Sequence, residues 1–102
     1  MIPLLYYMEM NKMIKVRLDG EKMNTRERAH NYMRCKLNLT EYYGRNLDAL
    51  WDMLSIYSEP IEIHLLNYYS LIDELGAYGD ELIEVFRDAE RENKNIKFIV
   101  VD

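Results

Sequence analysis

The sequence holds 102 residues, 49% hydrophobic and 30% charged, a balance that fits one small globular domain and leaves no room for a second. Its apolar positions are needed for a single core, so little remains to wall a deep substrate cavity. The formal net charge of -5 is unevenly spread: residues 1–45 carry 9 Lys/Arg against 5 Asp/Glu, and residues 46–102 carry 4 against 13. So acidic a second half repels nucleic acid backbones and speeds encounter with basic partners. Neither a nucleic acid nor a membrane is expected as a partner. The single cysteine, Cys35, allows no intrachain disulfide, and no CxxC pair or His/Cys cluster offers zinc ligands. A reducing, cytoplasmic setting with no metal and no cofactor is the expectation.

In chain order, residues 1–12 read MIPLLYYMEMNK. The apolar run is too short to span a bilayer, has no basic residue ahead of it and no small-residue cleavage site. A flexible extension is expected, with the domain proper at 13–102. Met13 to Leu18 alternates and ends at the turn signal Asp19-Gly20, which predicts a first strand. Asn24 is expected to cap the first helix, with Glu27 in capping-box spacing and Ala29, Tyr32, Met33 and Leu37 as its apolar stripe. Arg26, Arg28, Arg34 and Lys36 lie on that helix without an aromatic platform, the pattern of a solvated face rather than a nucleic-acid patch. Asn46 predicts the cap of a second helix running to about Tyr57. Ile61 to Leu66 reads as a second strand and Tyr68 to Leu75 as a short helix. Gly76 and Gly79 punctuate the chain, Asp80 is expected to cap a long fourth helix through Glu92, and IKFIVV forms the closing strand. Strands separated by helices predict an α/β domain with a three-stranded parallel sheet and about four helices.

The segment Tyr42 to Tyr57, YYGRNLDALWDMLSIY, sorts its chemistry by helical spacing. Leu47, Leu50, Leu54 and Tyr57 share one side and are expected to bury against the sheet, while Asp48, Asp52 and Ser55 fall opposite and Trp51 lies on the border. Asp48 in a first helical turn is stabilised by the helix dipole whatever its role, and exposed acids on amphipathic helices are ordinary. Two carboxylates and a Trp on one rigid face, entered through two tyrosines, also make a compact anionic patch. Such a patch fits a basic pocket, because Arg and Lys clusters that hold phosphate also accept carboxylates. A second acidic stripe, Glu81, Glu84, Asp88 and Glu92, lies opposite Leu82, Val85, Phe86 and Ala89 on the fourth helix.

With these residues laid out, the chain resembles the barstar family of intracellular ribonuclease inhibitors. The family's signature, Tyr-Tyr-Gly, one variable residue, then Asn-Leu-Asp-Ala-Leu-Trp-Asp, stands unbroken from Tyr42 to Asp52. Val85-Phe86-Arg87-Asp88-Ala89 is a weaker second match, and the element order agrees from about Met13 to Val101. The resemblance implies a barstar-like fold and a 1:1 complex with an extracellular guanyl-specific ribonuclease of the barnase type, giving intracellular immunity to that toxin. It further implies that Asp52 enters the enzyme's phosphate site, Asp48 meets a basic loop, Tyr42 covers a catalytic histidine and Asp88 adds an acid contact. Spacing and resemblance together single out Tyr42, Gly44, Asn46, Leu47, Asp48, Trp51, Asp52, Ser55, Tyr57 and Asp88 as the partner-binding set. Four positions differ: Arg45 fills the variable place, which in barstar is acidic, Ile56 stands where barstar has Gly, Tyr57 where it has Trp, and Asp88 where the family commonly has Glu. The alternative is a barstar-like module for a different basic toxin or regulatory protein.

No catalytic residue is expected. Cys35 lies five positions after His30, off the ideal helical face for a Cys/His pair. His64 has no Ser or Asp placed beside it by a recognisable motif. Asp48 and Asp52, one turn apart on a convex surface, lack the cleft that flanks a glycosidic bond.

Overall fold

The computed structural model describes residues 13–101, so the expected extension at 1–12 lies outside the described residues. The chain runs β1 (Ile14–Asp19), a 3-10 turn (Gly20–Lys22), α1 (Arg26–Lys36), α2 (Leu47–Ser55), β2 (Ile61–Leu66), α3 (Tyr68–Leu75), α4 (Ala77–Glu92) and β3 (Ile96–Val100). The three strands pair in the order β1-β2-β3 and are all parallel. The predicted α/β class and the parallel sheet with its four helices are what the chain adopts.

Period two decides which sheet face enters the core. Val16, Ile63 and Phe98 stand side by side in register, and with Leu18, Ile61, Leu65 and Ile96 they are buried. The alternate residues Lys15, Arg17, Glu62, His64 and Lys97 remain exposed or half-buried. Parallel sheets normally read as continuous apolar runs because both faces are covered; these strands alternate because one face stays wet. On the covered side α2 and α4 lie against each other and α4 against β3. The rings of Phe86 and Phe98 stack there at 5.0 Å between centroids.

Two helix starts differ from the sequence expectation. α1 is capped by Thr25, whose Oγ1 accepts from the Arg28 N–H at 3.0 Å. Asn24 instead accepts from the Arg28 guanidinium at 3.5 Å, so Glu27 falls out of capping-box register. α4 begins at Ala77, directly after Gly76 at φ 56°, and Asp80 sits in its first turn rather than at its cap. Gly79 is not a break but a buried helical residue. A Cβ there would come within 3.2 Å of Ile72 Cδ1 and 3.4 Å of the Leu71 carbonyl oxygen, so its absence lets α3 and α4 close.

The C-terminal end of α2 has no basic side chain in its last turn, and it stops at Ser55, two residues short of Tyr57. Its carbonyls are satisfied from a distance. The Asn93 amide donates to the carbonyls of Leu54 at 2.9 Å and Tyr57 at 3.0 Å, and Asn95 adds a bond to Tyr57 at 3.1 Å. A helix end left without such partners is costly. Asn93→Ala is expected to lower unfolding stability by about 2 kcal/mol in urea titrations, with an unchanged slope.

Candidate functional site

The segment ahead of α2 is built from the inside out. Tyr43 is 2% exposed and belongs to the core, while its neighbour Tyr42 is 93% exposed. Tyr42 sits in a turn closed by the Tyr43 N–H donating to the Thr40 carbonyl at 3.0 Å, and with Tyr43 anchored in the core that turn leaves Tyr42 facing outward. Arg45 holds φ 54°, an uncommon conformation for a residue with a Cβ. Two bonds secure it: Nε donates to Asn31 Oδ1 at 2.6 Å and Nη1 to the Tyr43 carbonyl at 3.3 Å. A Cβ on Gly44 would lie 3.1 Å from that of Ala49, so glycine allows the loop to rest on the first turn of the helix. Asn46 caps α2 as predicted, its Oδ1 accepting from the Ala49 N–H at 2.7 Å.

The helix then sorts its faces as spacing predicted, with refinements. Leu50 and Leu54 are fully buried, and Leu47, Trp51 and Tyr57 are partly buried against the core. Asp48 and Asp52 are exposed, and among the described residues neither carboxylate takes part in an ion pair. Asp48 occupies the first turn, where the helix dipole favours negative charge. Ser55 turns back on its own helix, its hydroxyl donating to the Asp52 carbonyl at 2.9 Å, so it is less available than its position suggests. Ile56 is 71% exposed. The Tyr57 phenol is pushed up, by burial first and then by Glu59.

On α4, Glu81, Glu84 and Glu92 are solvated, whereas Asp88 is half-buried and already paired with Arg91 three residues on. Its charge is therefore partly answered within the molecule, unlike those of Asp48 and Asp52. The cations of α1 are dispersed into local contacts. Arg26 lies over the Tyr78 ring at 4.2 Å, Arg28 reaches Asn24 and Arg34 reaches the exposed Cys35 sulfur at 3.4 Å. A depression lined by Lys15, Arg17, Cys35, Lys36 and His64 contains none of the residues expected to bind a partner. Within it His64 Nε2 lies 2.8 Å from Glu62 Oε1, a contact that holds the Glu62 carboxyl below its ordinary range.

Sequence reading missed two residues that shape this region. Asn93 closes α2, as above. His30, on α1, is buried behind the loop, with ring nitrogens 2.6 Å from the Tyr43 and Tyr78 hydroxyls. Among the described residues no group of three or more His, Cys, Asp or Glu could hold a metal ion, and no helix is long and apolar enough to cross a membrane.

Comparison with known proteins fits this geometry. The family model described as "Barstar (barnase inhibitor)" matches residues 13–102. A Bacillus subtilis (strain 168) protein named "Putative ribonuclease inhibitor YrdF" is 36% identical over 91 residues, covering 88% of this chain and 100% of that protein. A family match over all the described residues, and a relative aligned along its full length, establish that this chain belongs to the barstar family.

Proposed function

We propose that the chain inhibits a secreted ribonuclease of the barnase type, forming a 1:1 complex in which α2 and the loop before it fill the enzyme's basic active site. The observation that carries this reading is a pair of exposed carboxylates, Asp48 and Asp52, without ion-pair partners among the described residues and beside the outward-facing Tyr42. Family membership and the name of the relative support an inhibitor rather than an enzyme. In the complex Asp52 takes the place of a substrate phosphate among Arg and Lys side chains. Asp48 neutralises a neighbouring basic loop, and Tyr42 supplies area that excludes water. Gly44, Asn46, Leu47, Trp51, Ser55 and Tyr57 complete the contact surface, with Asp88 at its rim after leaving Arg91. Acting inside the cell, such an inhibitor confers immunity to a toxin released outside it.

One observation favours a second reading, a different basic toxin or regulatory protein as partner. Arg45 places a cation at the N-terminal edge of the acidic helix, held there by Asn31, at the signature's variable place, which in barstar is acidic. A partner matched to this chain must tolerate that charge.

A panel of guanyl-specific secreted ribonucleases, assayed with excess chain, separates the two. Inhibition is expected for at least one enzyme, with association slowing about tenfold or more between 0.01 and 0.15 M salt as the Debye length contracts from about 30 to about 8 Å. Full activity of every enzyme at low salt, with a different basic protein recovered on affinity capture, favours the second reading.

A further inference from the structure

We infer that His30 is a positioning residue for the recognition loop, joining Tyr43 to Tyr78 in one proton-ordered chain that the imidazole breaks when it takes up a second proton. The inference rests on the reading of Tyr42 and α2 as the recognition surface.

The order of the chain follows from what each hydroxyl can reach. His30 is 1% exposed, and among the described residues it is the buried polar side chain of the core. Its Nδ1 lies 2.6 Å from the Tyr43 hydroxyl and its Nε2 2.6 Å from that of Tyr78. Tyr43 is itself buried, and among the described residues its hydroxyl has no other hydrogen-bond partner. Its proton must therefore go to Nδ1, which makes Nδ1 the lone-pair nitrogen and Nε2 the protonated one. Nε2–H then donates to Tyr78, whose half-buried hydroxyl can send its own proton to water. One neutral tautomer thus satisfies every group and ties α1, the loop and the first turn of α4 together.

A second proton on the ring would destroy this order. Nδ1–H would face the Tyr43 oxygen, and the Tyr43 hydroxyl proton would have to turn into buried space with no acceptor. The charged groups around the ring come from each element packed on it. Arg45 from the loop bears directly on His30 and, together with the stronger effect of burial, holds the imidazole below its usual range. From α1, Arg26 lies over the Tyr78 ring, and from α4, Glu81 acts on the Tyr78 phenol. Burial pushes both phenols up, so neither becomes the anion that could stabilise an imidazolium. Relief comes from releasing Tyr43, and with it Tyr42 and the Asn46 cap. Because the folded state prefers the neutral ring, loop order is complete above the ordinary histidine value of about 6.5. It is lost as pH falls through the lowered value in the folded protein.

The test measures amide exchange of residues 43–49 by NMR, corrected for intrinsic rates, beside titration of the His30 ring. Wild-type loop exchange is expected to accelerate on acidification with the same midpoint as the ring, while core amides such as Ile63 stay protected. His30→Gln, which can still donate and accept but cannot titrate, should remove that pH dependence. Tyr78→Phe, at a half-buried position that tolerates the change, should speed loop exchange at neutral pH by about fivefold or more. A loop whose exchange shows no midpoint at the ring's titration, or is unchanged by Tyr78→Phe, overturns the inference. Faster loop exchange in Tyr78→Phe with unaltered ribonuclease affinity supports the His30 lock and overturns instead the assignment of the loop to recognition.

Discussion

Asp52→Ala is expected to leave the fold intact and to weaken the proposed inhibition of a barnase-like ribonuclease by about 100-fold or more, which corresponds to about 3 kcal/mol. That scale is one the barnase–barstar pair itself helped to set, and it is carried over from the family rather than derived from this geometry. The direction rests on the proposed complex. Asp52 is exposed and takes part in no ion pair among the described residues, so removing it costs the free molecule almost nothing. In the proposed complex its loss would leave several cations of the enzyme facing each other in a desolvated site. Truncating one partner of a buried charge pair acts mainly through faster dissociation. Glu84→Ala removes an equal charge from the solvated face of α4 and should change affinity by about twofold, mostly through association. Stopped-flow rates for the two variants distinguish a buried charge from a steering one. Equal, small effects from both would remove Asp52 from the centre of the interface.

The second large effect lies outside the site. Gly20→Ala should destabilise the domain by about 3 kcal/mol, a large share of the roughly 5–15 kcal/mol that holds a small domain folded. Gly20 is buried at the end of β1, and a Cβ there would meet the Asn67 carbonyl oxygen at 2.3 Å and that of Leu66 at 3.0 Å. Both obstacles are backbone, so no side chain can swing aside. Asn67 is pinned at φ 55° and donates to Asp19 Oδ1 at 2.8 Å, so yielding means breaking the junction between the ends of β1 and β2. That amide, ahead of the Glu21 N–H, keeps the Asp19 carboxyl below its ordinary range. Its stabilising contribution is therefore present above the usual carboxylate value and fades as pH falls through the lowered one. Urea unfolding of Gly20→Ala checks the estimate; a loss under about 1 kcal/mol means the strand ends can part easily.

What was legible in the sequence was local. Asn46 caps α2 through a bond three residues away, and the exposure of Asp48 and Asp52 follows from a period of 3.6 residues. The strands were readable because half-buried alternation survives where one sheet face stays wet. Gly79 looked like punctuation because a glycine that admits a neighbouring helix carries the same letter as one that breaks a helix. The roles of Asn93 and His30 depend on partners up to 39 and 48 residues away in the chain, and no local pattern reports such contacts. Asp88 had its Arg91 partner three residues on, in plain helical spacing, and that pairing was legible but unused. The bearing of Arg45, Ile56, Tyr57 and Asp88 on partner choice lies in a surface this chain does not contain.

The most direct measurement of the central claim is an activity titration of a barnase-like ribonuclease with this chain at low salt, at enzyme concentrations well above the dissociation constant. A linear fall in activity that reaches baseline at one chain per enzyme molecule is expected. Activity that stays constant through a several-fold excess of folded chain, across the guanyl-specific enzymes tested, contradicts it.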